Sequence, residues 1–227
     1  MSLSQRAIAE EAMDAADLDP RVYAAVLHDL ARVNAVTLAA RPTLAFLDRA
    51  ARASRQLRIL DVGFGAGDML RTIARWADRR DVTVDLVGID LNPNSAAVAA
   101  GYGPAGAIRY LTGDYRDLAG QGWDVVLSSL VAHHMTPGEL TGFLRFMDRE
   151  ARVGWFVNDL HRHRAAHLGY PVLARLMRAH PIVRSDGQLS IARAFRSSDW
   201  HAILAEAGVS AQVRRRFPFR LCVERLR

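Results

Sequence analysis

An apolar run, Leu57-Arg58-Ile59-Leu60-Asp61-Val62, passes directly into Gly63-Phe64-Gly65-Ala66-Gly67 and then Asp68. A short apolar run bounded by glycines reads as a buried strand, and the glycines supply the tight reversal that follows it. Asp68 then opens a helix with Leu70, Ile73, Ala74 and Ala77 on one face. Strand, glycine turn and helix form the first unit of an α/β sheet, and the rhythm repeats along the chain. Further strands are expected over Val82 to Ile89, ending at Asp90, and over Ala107 to Leu111, before Gly113-Asp114-Tyr115. Two more are expected over Trp123 to Leu127, ending at Ser128-Ser129, and over Val153 to Val157, ending at Asn158-Asp159. Strands separated by helices imply a parallel sheet with helices on both faces. One of those helices is fully signposted: Thr136 as N-cap, Pro137 at its first position and Glu139 closing a capping box.

The flanks read differently. The first stretch, 1–52, is expected to be helical, with Asp19-Pro20 starting a helix whose Val22, Val26, Leu30 and Val33 share a face. Leu44 and Leu47 continue an apolar face after Pro42. Residues 161–196 interrupt the alternation, and Leu168, Leu173, Leu176 and Met177 predict one or two amphipathic helices there. Over 197–227, Ser198 is expected to cap a last helix that stops at Gly208. Val209 to Phe217 and Arg220 to Leu226 then form an antiparallel hairpin on the sheet edge. The 227 residues are read as a single domain of four parts: helical cap 1–52, core 57–160, lid insert 161–196 and closing segment 197–227.

Composition removes several chemistries. All 30 basic residues are Arg. Without Lys there is no Schiff base for pyridoxal phosphate and no P-loop Lys for a Walker-type nucleotide site. The single cysteine, Cys222, excludes an internal disulfide and any Cys-rich zinc site, and fits a reducing, cytoplasmic compartment. No apolar stretch is long enough for a membrane span. Met1 to Glu11 lacks an apolar core and carries two acids, so it is not expected to be a signal peptide. The net charge of +6 invites a nucleic-acid reading, but aromatics are only 7% and are not interleaved with arginines. No nucleic-acid partner is expected, and the run Arg214–Arg216 is read as a solvated strand edge.

Open parallel sheets bind ligands beyond the carboxyl ends of their strands. The polar residues here fall at those ends: Asp61, Asp90, Asp114, Ser129, His133, His134 and Asp159. A dinucleotide site of the Gly-x-Gly-x-x-Gly type places phosphate at the helix start, where this chain has Asp68. That carboxylate repels phosphate and suits a cationic ligand such as S-adenosylmethionine. Asp90 is placed to accept both ribose hydroxyls, Asp114 the adenine amino proton with Tyr115 beside the ring, and Asp61 with the loop amides the methionine end. The segments Leu60–Asp68, Gly88–Leu91, Thr112–Tyr115 and Trp123–Val126 resemble successive motifs of the class I S-adenosylmethionine-dependent methyltransferases. The resemblance spans roughly residues 57–160. It implies a Rossmann-like α/β fold, a seven-stranded, mostly parallel sheet whose last strand is antiparallel. It also implies S-adenosyl-L-methionine as cofactor, with Asp61, Gly63, Gly65, Gly67, Asp68, Asp90, Leu91, Asp114, Tyr115 and Ser129 as binding candidates.

Methyl transfer to oxygen needs alignment and a proton acceptor. His134 is the first candidate for that base and His133 the second, with Asp159, His161 and Arg162 as acceptor contacts. The alternation Asp159, His161, His163 is conceivable as a metal set, but no metal is expected. Ser128–His134 and Asn158–Arg162 are similar to segments of bacterial small-molecule methyltransferases that tailor phenols, quinols or polyketides. That implies an O-methyltransferase of secondary metabolism, with the N-terminal helices and the 161–196 insert walling the acceptor pocket. Two other readings stay open: a non-catalytic cofactor-binding partner subunit, and an RNA or protein methyltransferase. A homodimer is admitted but not dictated.

Overall fold

In the computed structural model, which describes residues 3–15, 17–52, 54–102 and 108–227, the run that opened the analysis is strand β1, Gln56–Val62. Its side chains alternate between two cores, as a strand requires. Leu57 and Ile59 pack with Phe46 of α2 (Ala40–Ala50) and with Leu70 and Ile73 of α3 (Asp68–Arg80). Leu60 and Val62 pack on the opposite face with Phe143 and Leu144 of α5 (Pro137–Glu150) and Trp200 of α8 (Ser197–Ala207). Each such fully buried large side chain contributes roughly 1.5–3 kcal/mol.

Strands β2 (Thr83–Asp90), β3 (Ile108–Thr112), β4 (Val125–Ser129) and β5 (Gly154–Leu160) run parallel to β1. The expected start of the third strand, Ala107, lies outside the described residues. Strands β6 (Gln212–Arg216) and β7 (Arg220–Leu226) form the expected hairpin. β7 enters antiparallel beside β5, giving seven strands in the order β3-β2-β1-β4-β5-β7-β6. The order reverses between β1 and β4, so the ligand crevice falls above the carboxyl ends of those two strands.

Helix α1 (Pro20–Val36) starts at Asp19, whose side chain accepts the Arg21 N–H, and α5 carries the full Thr136–Glu139 capping box. The insert forms α6 (Arg164–Leu176) and α7 (Pro181–Arg193). Two expectations need correction. Ser198 does not cap the last helix: α8 begins at Ser197, and Asp199 accepts the Arg196 N–H. Leu168 and Leu176 do not face inward but are 68% and 78% exposed, because Leu173 and Met177 lie on the inner side of α6. Arg214, Arg215 and Arg216 lie on the edge strand and are exposed, with Arg214 paired to Glu224 at 3.0 Å. Among the described residues no helix is long and apolar enough to cross a membrane.

Candidate active site

The glycine turn can only be made by glycine. Gly63 has φ +76°, and a Cβ there would sit 2.3 Å from Val131 Cγ2; a Cβ on Gly67, φ +71°, would meet the Tyr110 hydroxyl at 2.7 Å. Both substitutions therefore strain the backbone and collide with a neighbour. The turn forms one wall of a cavity of about 790 Å³ above the switch point. Asp90 and Ser129 reach it from strand ends, and α1 roofs it with Tyr23, Leu27 and Asn34.

Asp90 is on the wall, and its two oxygens accept the N–H groups of Gly65 and Asn92 at 2.9 Å each. Asp68 is also on the wall, bonded by the Asn34 side chain. Burial pushes both carboxyls above the ordinary range, so each gains from a cation or hydroxyl donor brought into the cavity. Tyr115 reaches the wall with its ring held edge-on by Phe143 and Phe146, at 4.9 and 4.8 Å. Gly63, Gly65, Leu91 and Ser129 line the same space.

Three of the expected cofactor contacts sit elsewhere. Asp61 is buried beneath the wall, and Gly67 is at the start of α3 behind it. Burial, reinforced by the charges of Asp68 and Asp90, pushes the Asp61 carboxyl well up. Asp114 turns away from the wall to cap the Tyr115–Leu118 turn and pairs with Arg116 at 3.0 Å. Gly113 and Tyr115 occupy the wall where that carboxylate was expected.

The histidines stand in the loop after β4. Leu130 there adopts φ +62°, a conformation L-residues rarely hold outside functional turns. The chain then tightens into a 3₁₀ turn, Ala132–His134, that delivers His133 and His134 to the cavity. Asp159, at the end of β5, accepts from both the His133 backbone N–H and its Nδ1–H, at 2.7 Å each. Asp14 stands 2.9 Å from His134 Nδ1. A carboxylate has no proton to donate, so each imidazole presents an Nδ1–H to its carboxylate partner. Both Asp159 and Asp14 are held below the usual carboxylate range: burial opposes this but is outweighed by the neighbouring histidines.

Asp159 itself is buried behind His133 and does not line the cavity. His161 lies off the wall, against His163 with ring centroids 5.5 Å apart. Burial and the charge of Arg215 lower its basicity. Arg162 is structural: it donates to the carbonyls of Leu3, Ser4 and Ala194 and pairs with Asp199 at 2.7 Å.

The N-terminal segment contributes two residues that sequence reasoning assigned no role. Glu11 Oε1 is 3.7 Å from His133 Nε2, and its Oε2 is 3.8 Å from His134 Nε2. Asp14 holds the other side of His134. Arg6 anchors this segment by donating to the carbonyls of His133, Met135 and Arg193. Ligand-type atoms of Glu11, His133 and His134 lie within 4.8 Å of one another, close enough to share an ion. Arg193 Nη1, 3.7 Å from Glu11 Oε1, already places a positive charge there.

Burial pushes the Glu11 carboxyl up to about 7. A folded-state value above the unfolded one means that folding takes up a proton, so the charged form destabilises the fold above that pH. Glu11→Gln is expected to gain stability over wild type, by less than about 1 kcal/mol at pH 5 and by about 3 kcal/mol at pH 8. Denaturant titrations of both proteins at the two pH values check this. Equal gains at pH 5 and pH 8 contradict a buried ionisation at Glu11.

A seven-stranded sheet of this order, with a glycine turn at its switch point and a carboxylate ending the second strand, defines a class I methyltransferase fold. Residues 59–154 match the family described as a methyltransferase domain. Ubiquinone biosynthesis O-methyltransferase of Azorhizobium caulinodans is 34% identical over 114 residues, 48% of this chain and 40% of that protein. The match thus spans two fifths of that relative's length. Magnesium protoporphyrin IX methyltransferase from Synechocystis, solved with bound SAH, superposes with a TM-score of 0.56 at 16% identity, covering 95% of this chain and 90% of the other. Human N-acetylserotonin methyltransferase in complex with SAM gives 0.63 at 14% identity, covering 91% and 56%.

Proposed function

We propose that this chain transfers a methyl group from S-adenosylmethionine to a hydroxyl of a phenolic, quinol or polyketide-like small molecule. One observation carries the reading. A single cavity joins Asp90 and the glycine turn to His134, whose Nδ1 is held by Asp14. The names of the relatives agree, since they include a ubiquinone O-methyltransferase and a methyltransferase of N-acetylserotonin.

The residues present fit the cofactor. Two half-buried carboxylates, Asp68 and Asp90, line the cavity beside the turn, while the nearby cation Arg71 is bonded to Ala66 O and lies off the cavity wall, which favours a cationic nucleoside over a dinucleotide. When bound, S-adenosylmethionine supplies a methyl group on a positively charged sulfur, a good leaving group. Asp90 accepts hydroxyl protons of the ribose while the Gly65 N–H keeps the carboxylate in place. Tyr115 and Leu91 offer apolar surface to the adenine. His134, on the side of its ring away from Asp14, would take up the proton of the acceptor hydroxyl. Asp14 holds the imidazole in the tautomer this requires and stabilises the imidazolium that results. His133, fixed by Asp159, shapes the floor beside it. The insert excludes water by placing Ala166, Gly169, Tyr170 and Leu173 over the acceptor end.

The test is turnover with labelled S-adenosylmethionine and a panel of phenols and quinols. A methyl ether, identified by mass spectrometry, is the expected product. Tight cofactor binding without transfer to any acceptor turns the assignment toward a non-catalytic binding subunit.

A further inference from the structure

The cavity is chemically divided, and the division has a direction. Its carboxylates and histidines are gathered over the strand ends. Three other segments form a rim where large apolar side chains meet solvent. The end of α1 contributes Val36, 57% exposed, the link to α2 contributes Leu38, 39% exposed, and the β6–β7 turn contributes Phe217 and Phe219, 82% and 41% exposed. These elements are tied together: Arg220 Nη2 reaches Thr37 Oγ1 at 3.3 Å, and the Phe219 ring stacks on His163, the N-cap of α6, at 5.0 Å. Behind the rim, α6 lines the cavity with the small residues Ala165, Ala166 and Gly169 together with the larger Tyr170 and Leu173, and Ala165 and Gly169 are exposed at its outer side. A Cβ added to Gly169 meets no atom within 4 Å. Leu91, also exposed, lies on the nucleoside side next to Asp90 and belongs to the other end.

Four large apolar groups around the mouth of a site are costly to leave in water, and the space over Ala166 and Gly169 beside them is room that a bare phenol does not fill. We infer that the acceptor carries an unbranched apolar chain that lies along Ala166 and Gly169 and leaves the site between Val36 and Phe217. This rests on the methyl-transfer reading and narrows its acceptor to a hydroxylated ring with a long aliphatic tail. Burying the chain contributes apolar transfer energy while the ring presents its hydroxyl to His134, and the tail sets the orientation that a small symmetric ring lacks.

The experiment uses the full chain and phenols bearing linear alkyl groups of increasing length. Both kcat/KM and the Kd for each phenol, measured by calorimetry on enzyme saturated with S-adenosylhomocysteine, are determined. Affinity is expected to rise about threefold per methylene until the chain clears the rim, and then to level off. Gly169→Phe fills the space over Ala166 without touching the histidines, and it is expected to cut the long-chain to short-chain kcat/KM ratio by about tenfold or more. Phe217→Ser is expected to reduce the same ratio about fivefold. A flat dependence on chain length, with methyl transfer intact, overturns the tail site and leaves the methyl-transfer reading standing. Chain-dependent binding without methyl transfer does the reverse. If the rim is an interface between two copies, Phe217→Ser lowers the sedimenting mass and the chain-length series is flat, which also overturns it.

Discussion

His134→Ala is expected to lower kcat by about 100-fold or more while leaving S-adenosylmethionine affinity nearly unchanged. His134 lines the cavity, and its side chain is 27% exposed, with Glu11 Oε2 3.8 Å from Nε2. The His133 side chain is 3% exposed and locked by two bonds from Asp159, which suits it to support rather than to proton transfer. Alanine removes both a base and a partner of Asp14, so a second variant separates the two. Glutamine at 134 can still donate to Asp14 and keep the loop in place, but its amide cannot take up a proton. His134→Gln is therefore expected to fall in kcat nearly as far as alanine, with acceptor KM close to wild type. Recovery of turnover by glutamine would reduce His134 to a positioning role, and unchanged turnover in alanine would remove it from the mechanism.

Why the paired histidines were legible and their carboxylates only partly so is a matter of range. The strand ends, the glycine turn and the Thr136 cap are local patterns, and each is decided by side chains a few positions apart. His133 and His134 could be placed because they follow β4 in a fold that binds beyond its strand ends. Glu11 could not. In the sequence it is one of two adjacent acids near the start, useful only as a charge that argues against a signal peptide. In the structure it is 3% exposed between two imidazoles, carried there by Arg6 binding loop carbonyls more than 120 positions away. No periodicity reports such a contact. The misplacements have the same origin. Asp114 was expected to face a ligand because it ends a strand segment, but Arg116, two residues on, offers it a nearer partner. His161 continues β5 in sequence, yet it leaves the cavity because its backbone N–H bonds to Phe219 O on the neighbouring hairpin.

At the nucleoside end the same logic makes Asp90 the most sensitive position. Asp90→Ala is expected to weaken S-adenosylmethionine binding by ~1.5–3 kcal/mol, roughly 10- to 100-fold, because bonds to a charged acceptor are lost. The loss has two sources in this structure. The carboxylate offers lone pairs to ribose hydroxyls, and it also holds Gly65 N and Asn92 N, so alanine frees the glycine turn as well. Asp90→Asn separates them. Its amide oxygen can still accept one backbone N–H, whereas its NH₂ faces the other donor without an acceptor, so the turn keeps part of its anchorage while charge-assisted acceptance is gone. If ribose recognition dominates, asparagine loses most of the affinity that alanine loses and stays close to wild type in thermal stability. If the turn dominates, asparagine retains most of the affinity, and alanine shows a drop in melting temperature that parallels its weakened binding. Kd for S-adenosylhomocysteine, measured by calorimetry alongside the melting temperature of each variant, decides between them. Wild-type affinity in Asp90→Ala contradicts nucleoside binding at the end of β2, and with it the placement of the whole cofactor in this cavity.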